Sequence, residues 1–80
     1  MQNNKTVWLI NKGNRTTLGK LDYLPQMGER LVYQRPGSMY ELEYTVNMVL
    51  HCPNQNAICV FVEPVQSDYS QILHSVNWNL

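Results

Sequence analysis

The chain has 80 residues, the size of a single domain spanning 1–80, and a chain this short buries only roughly 60% of its unfolded surface. Its six Lys and Arg balance six Asp and Glu, which argues against a strongly basic nucleic-acid binder and an acidic disordered tail. The sequence shows no signal-peptide pattern and no apolar run of about 18 residues, so we expect neither secretion nor membrane insertion and a cytoplasmic location.

The N-terminal region predicts a β-hairpin. Residues 5–11 (KTVWLIN) are rich in β-branched and aromatic side chains, and residues 15–21 form a second stretch of this kind. The intervening 12–14 (KGN) supplies residues that tolerate the positive φ of tight turns. Gly19 weakens the second strand and predicts a bulge.

Two further turns are predicted on either side of a strand at residues 30–34. Pro25 fixes one φ angle and Gly28 can adopt the left-handed conformation, which makes residues 24–29 a compact turn. Pro36-Gly37 at the centre of residues 35–38 favours a type II turn.

The strongest periodic signal lies between residues 40 and 52. Every second residue from Tyr40 to Cys52 is apolar or aromatic, and the residues between them are mostly polar, which is typical of a half-buried strand. At ~3.3 Å per residue this strand would be about 40 Å long, so we expect it to bend, carry a bulge or be shared between two sheets.

Residues 57–65 predict the partner strand. A four-residue loop (53–56) would place Cys52 opposite Ala57, and a five-residue loop would place it opposite Ile58. We prefer the longer loop because it builds one continuous apolar face. That face holds Val46, Met48, Leu50, Ile58, Val60 and Val62.

The sequence of the C-terminal residues is compatible with either a helix or a strand. Ser67 or Asp68 can cap a helix, and the apolar stripe that follows has helical spacing, so we predict a short helix at 68–76. Residues 77–80 alternate and leave a closing strand as the alternative. The elements together predict a mainly β fold, either a small antiparallel five-stranded meander or an SH3-like, partly open barrel with a short C-terminal helix.

The sequence contains no recognisable catalytic or metal-binding set. Two cysteines are too few for a disulfide scaffold, and Cys52 and Cys59 do not face each other in either loop register, so we expect free thiols. The two cysteines together with His51 and His74 do not show the spacing of ligand pairs that is typical of zinc sites. No G-x-S-x-G, P-loop or G-x-G-x-x-G is present. We expect a non-enzyme without metal, cofactor or small-molecule substrate.

Three short motifs can be read in the central region. They are Leu24-Pro25-x-x-Gly28-Glu29-x-Leu31, Tyr44-x-Val46-x-x-Val49 and Val60-x-Val62. Over residues 24–65 the pattern resembles a loose group of small, mostly uncharacterised β proteins, many of them encoded by phages or mobile elements. The resemblance implies a compact antiparallel sheet or small barrel and a phage-borne setting, and it brings no catalytic or ligand-binding residue.

Charge is divided unevenly along the chain. All six basic residues lie in residues 1–35, where the net charge is +4, and residues 36–80 carry −4. If the halves fold as separate layers, their field would steer a charged partner; alternatively, the charges pair across strands. The residues predicted to contact nucleic acid or an acidic partner are Trp8, Lys12, Arg15, Arg30, Tyr33 and Arg35.

A second candidate surface is the outer face of the hairpin at 40–62. The preferred register places Val49 opposite Phe61 and His51 opposite Cys59 on this face. Exposed apolar side chains of this kind are expected to be covered, either by the C-terminal helix or by another chain. The predicted partner-binding residues are Glu41, Glu43, Val49, His51, Cys59 and Phe61.

These observations favour a non-enzymatic protein-binding module. The resemblance suggests a phage-encoded accessory protein that inhibits a host protein, such as a component of antiviral defence, and a homodimer is also expected. One alternative is a small β-barrel that binds single-stranded nucleic acid. Another is an assembly component of a virion or complex that pairs through exposed strand edges.

Overall fold

The computed structural model describes residues 5–39, 41–66 and 69–78, which form one curled five-stranded sheet and a short helix. The strand order in the sheet is β2-β1-β5-β4-β3. The predicted mainly β, partly open barrel with a C-terminal helix is confirmed. No helix in the described ranges is long and apolar enough to cross a membrane. The elements are β1 (Thr6–Asn11), β2 (Thr17–Leu21), β3 (Arg30–Gln34), β4 (Glu41–Cys52), β5 (Ala57–Val65) and α1 (Tyr69–His74).

The first and last strands are neighbours and run parallel. Trp8 pairs with Cys59 and Ile10 with Phe61, and the backbone N–H of Lys12 donates to the carbonyl of Val62 at 2.8 Å. The expectation of an entirely antiparallel sheet is therefore wrong at this pair. A parallel pair needs a long crossover, which the whole chain from β2 to β4 provides here.

The long strand carries a bulge at Asn47. Val46 pairs with Val62, but the next pair is Met48 with Phe61, so Asn47 is skipped in the pairing of β4 with β5. The extra residue exchanges the two faces of β4 beyond this point. Val49 consequently packs against the core, whereas Met48 and Leu50 lie on the outer face.

The loop between β4 and β5 is the shorter of the two predicted loops. Cys52 pairs with Ala57, and Pro53–Gln55 forms a single 3-10 turn. Asn56 closes the loop in the left-handed conformation with φ 52°, and its N–H donates to the carbonyl of Pro53. The preferred five-residue loop is therefore wrong. That loop was expected to bring Val46 and Val62 onto the same face, and the extra residue at Asn47 does this instead.

The predicted glycine turns are confirmed. Gly28 and Gly37 have φ values of 84° and 83°, and the Ser38 N–H donates to the Arg35 carbonyl across Pro36-Gly37, as in a type II turn. In the first hairpin the positive φ falls instead on Arg15, at 63°.

The core lies on the concave side of the sheet. Leu9, Val46, Val60 and Val62 are almost completely buried at its centre. A bulge in β2 turns Leu18 inward, because the register of β1 with β2 shifts there. The remaining buried members of the cluster are Val7, Leu31, Tyr44 and Ile58.

The two edge strands approach each other at Gly19, next to the β2 bulge. A Cβ atom at residue 19 would overlap the hydroxyl oxygen of Tyr33 on β3. The Tyr33 ring therefore reaches from β3 to β2 and narrows the open side of the half-barrel. Gly19 is the residue that leaves room for it.

The helix is shorter than the predicted 68–76. It spans Tyr69–His74, and Ser75 and Val76 continue it as a turn whose N–H groups donate to Ile72 and Leu73. The proposed capping residues Ser67 and Asp68 lie outside the described residues, as do Tyr40, Asn79 and Leu80. Asn77 and Trp78 do not join a strand.

We expect Gly19→Ala to lower the free energy of unfolding by about 1–3 kcal/mol, because the new methyl group displaces the Tyr33 ring. In a Tyr33→Leu background the same substitution should be neutral or stabilising, since alanine is better than glycine within a strand. Urea denaturation of the four proteins in this cycle measures the coupling. An equal loss in both backgrounds would show that Tyr33 is not what makes Gly19 necessary.

Candidate functional site

Six apolar side chains form a continuous surface on the outer face of the sheet, which we call the outer patch. Two cross-strand rows build it: Lys20, Trp8, Cys59 and Leu50 in one, and Thr17, Ile10, Phe61 and Met48 in the other. Each row runs across β2, β1, β5 and β4 in turn. The patch comprises Trp8, Ile10, Met48, Leu50, Cys59 and Phe61.

The outer patch is open to solvent. Leu50 is 45% and Met48 36% exposed, and the other four side chains are half-buried. Beside Trp8 and Cys59 the surface sinks into a shallow, mainly apolar cleft of about 340 Å³ that also reaches Cys52. The ammonium group of Lys20 lies 5.1 Å from the centre of the Trp8 ring, so a cation borders the patch on its β2 side.

The helix lies over a different part of the outer face. Ile72 and Leu73 of α1 share a cleft with Arg30, Val32 and Glu43, and these three belong to β3 and the first half of β4. Among the described residues, no helix packs on the outer patch. Of the two predicted covers for the outer face, the helix thus covers Glu43 and leaves Phe61 and Cys59 open.

Beneath the helix, Glu43 is a buried acid held by an ion pair. The residue is 3% exposed, and its carboxylate accepts a hydrogen bond from Nε of Arg30. Strand pairing places the two side chains near each other, because Arg30 pairs with Thr45 and Val32 with Glu43. Of the two acids predicted to contact a partner, Glu43 is therefore buried and paired within the chain, whereas Glu41 is exposed.

The other predicted outer-face residues divide between the two faces. Phe61 and Cys59 lie in the outer patch as predicted. Val49 pairs with Val60 and packs against the core, and His51 pairs with Ile58 on that same face and is exposed at the strand end. The bulge at Asn47 causes both errors. The sequence signal that could have revealed it is the spacing of Val46 and Val49, which can both face inward only if one residue is extra.

The residues predicted to contact nucleic acid are dispersed by the fold. Trp8 is in the outer patch, Tyr33 reaches toward Gly19, and Arg30 pairs with Glu43. Lys12 lies 3.5 Å from the Glu63 carboxylate. Within the described ranges, Lys12 and Arg30 thus pair with acids of the opposite half, as expected if the charges pair across strands. Arg15 and Arg35 lie in turns at one end of the half-barrel.

The two cysteines are free and lie near each other on the outer face. Burial raises the pKa of the Cys59 thiol, and a hydrogen bond with Cys52 and the charge of a Cys52 thiolate raise it further. The prediction of free thiols is confirmed. No cluster of three or more His, Cys, Asp or Glu side chains placed to hold a metal occurs in the described part of the chain.

No protein-family model matches this chain, and no curated protein or solved structure matches it.

Removing the cation that pairs with the buried Glu43 carboxylate should be costly, although Arg30 itself is partly exposed. We expect Arg30→Met to lower the free energy of unfolding by about 2–4 kcal/mol, because the Glu43 carboxylate stays buried without its guanidinium partner. Adding Glu43→Gln should recover at least half of that loss, since a neutral amide replaces the buried charge. Urea denaturation at neutral pH measures both; additive losses would mean that the two side chains do not stabilise each other.

The raised pKa of Cys59 predicts slow alkylation. In a Cys52→Ser variant, which keeps a hydrogen-bonding group at position 52, iodoacetamide should react with Cys59 more slowly at neutral pH than with N-acetylcysteine amide. The rate should rise with pH, because the thiolate is the reacting form. It should level off only at a pH above the range in which an ordinary cysteine thiol ionises. Mass spectrometry of the intact protein follows the reaction. If the rate for Cys59 levels off at or below the pH at which the rate for N-acetylcysteine amide does, the pKa of Cys59 is not raised.

Proposed function

We propose that this chain is a non-enzymatic protein-binding module and that the outer patch is its contact surface. The observation that supports this most is the composition of the two central strands. The runs VWLI in β1 and AICVFV in β5 are apolar at consecutive positions, a pattern typical of strands that are covered on both faces. The core covers one face, and the described residues leave the outer patch on the other face open.

The shape and chemistry of the outer patch suit a protein partner. It is a broad, shallow surface that combines a Trp and a Phe ring with a Met, three residue types that are enriched at the centres of protein interfaces, and Leu50 adds apolar area beside them. Polar groups border it: Lys20 beside Trp8, and the Lys12–Glu63 ion pair beyond Phe61. An apolar centre with a polar rim is the usual arrangement of such interfaces.

The biological setting is a further part of the proposal and depends on the resemblance of residues 24–65. We propose that the protein acts in the cytoplasm of a bacterial host as a phage-encoded accessory protein. It would occupy a surface of a host protein, such as a component of antiviral defence, and thereby inhibit it. A second copy of the chain is the other partner that the outer patch could accept, since a self-complementary apolar face is a common basis of homodimers.

A pair of matched substitutions tests the contact surface. Leu50→Lys introduces a charge into the outer patch at a side chain that is 45% exposed, whereas Met27→Lys introduces the same charge at a side chain 68% exposed in the β2–β3 loop. We expect a protein retained from bacterial lysate by the wild type and by Met27→Lys to be lost with Leu50→Lys. With that partner purified, Leu50→Lys should raise the Kd by about tenfold or more.

Light scattering during size-exclusion chromatography identifies a homodimer. If the chain itself is the partner, the wild type and Met27→Lys elute as dimers and Leu50→Lys elutes as a monomer. Circular dichroism confirms that both variants are folded. The proposed surface is wrong if Leu50→Lys binds as tightly as the wild type, and protein binding itself is wrong if the wild type is monomeric and retains no partner.

A further inference from the structure

A cavity lies at one end of the half-barrel, on the side opposite the outer patch. The β1–β2 turn and the β3–β4 turn face each other across a space of about 310 Å³, which we call the mouth cavity. Its inner wall is formed by Leu18 and Tyr44, both members of the core. The mouth cavity is therefore an extension of the concave side of the sheet, formed where two turns project beyond the packed strands.

The charge of the mouth cavity is positive. Arg35 contributes a guanidinium group to the lining, which contains no Asp or Glu. Among the described residues no carboxylate forms an ion pair with Arg35. The neighbouring cation Lys12 is paired with Glu63. Arg35 is thus a cation at a concave surface that no described carboxylate neutralises, which favours a negatively charged ligand.

The uncharged polar groups of the lining add hydrogen-bond donors. The side-chain oxygens of Asn11 and Asn14 already accept the N–H groups of Gly13 and Thr16, at 2.9 and 3.0 Å. Each amide therefore has its two N–H donors left to offer. Burial raises the pKa of Tyr44, although the charge of Arg35 opposes the shift. The Tyr44 hydroxyl consequently keeps its proton at neutral pH and can donate.

The remaining lining is apolar and sets the size of a ligand. The side chains of Leu18 and Leu42 and the ring of Tyr44 form a wall next to the polar groups. A volume of about 310 Å³ lies at the lower end of the range for small-molecule sites. It exceeds what an isolated oxyanion fills, so the space matches an anionic group attached to a compact apolar body.

We propose that the mouth cavity binds a small organic oxyanion, a carboxylate or phosphate monoester with a compact apolar body, whose anionic group is held by Arg35. The apolar body lies against Leu18, Leu42 and the Tyr44 ring. This proposal departs from the sequence-based expectation that the chain has no small-molecule ligand, and it does not depend on the protein-binding proposal.

Titration of the ¹⁵N-labelled full chain with benzoate and with phenyl phosphate tests the site. We expect saturable shifts of the backbone amide signals of Asn14, Thr16 and Ser38, with a Kd of about 1 mM for ligands of this size. Benzyl alcohol, which has the same ring without the charge, should bind at least about tenfold more weakly. Saturation by benzoate alone identifies a carboxylate ligand, and saturation by phenyl phosphate alone identifies a phosphate ester.

Two substitutions, each removing one positive charge, distinguish binding in the mouth cavity from a general effect of the protein's charge on anions. Arg35→Gln should weaken binding by about tenfold or more, because it removes the charge-assisted hydrogen bonds. Lys5→Gln, at the opposite end of β1, should bind like the wild type. If Arg35→Gln does not fold, Tyr44→Phe takes its place, with a smaller loss expected.

The proposal is overturned if neither anion gives saturable shifts below about 10 mM. It is likewise overturned if the shifted signals lie outside the mouth cavity, or if Arg35→Gln and Lys5→Gln weaken binding equally.

Discussion

The bulge at Asn47 determines which residues of β4 lie in the core. A regular strand would place Met48 and Leu50 on the same face as Val46. With one extra residue, Val46 and Val49 both face inward and pair with Val62 and Val60. Stiff, β-branched side chains therefore fill the centre of the core. The flexible Met and Leu are directed to the outside, and the outer patch exists because of this exchange.

The same residue also marks the boundary between two unlike halves of the outer face. The Asn47 side-chain amide donates to the Glu63 carboxylate, which Lys12 also approaches. On one side of this polar cluster lies the open outer patch. On the other side the buried Glu43 carboxylate lies beneath α1 and pairs with the partly exposed Arg30. Where the helix covers the sheet, the buried charge is paired within the chain. Where the helix does not reach, apolar surface is left uncovered. The open half is therefore the one suited to a partner.

Local features of this fold were predictable from the sequence, and the features that depend on distant contacts were not. Gly28 and Gly37 required a positive φ, and the structure has it at both. The length of the alternating segment left a bulge as one of three options. Its position could not be predicted, because Met48 and Leu50 continue the alternation of apolar and polar residues as a regular strand would. The parallel pairing of β1 with β5 joins residues about fifty positions apart, and no local pattern specifies such a contact. Arg35 was predicted as a partner-contacting cation, but the mouth cavity around it forms only when two distant turns meet.

The outer patch and the mouth cavity use consecutive residues of β1, which point to opposite faces: Ile10 belongs to the patch, and Asn11 lines the cavity. Proximity of this kind does not by itself couple two sites, because coupling requires an element with two arrangements that both ligands bias. The strands between them are held by the completely buried Leu9, Val60 and Val62, and a close-packed core of this kind resists small displacements. A partner on the patch and an anion in the cavity are therefore expected to bind independently, and the two proposals stand or fall separately.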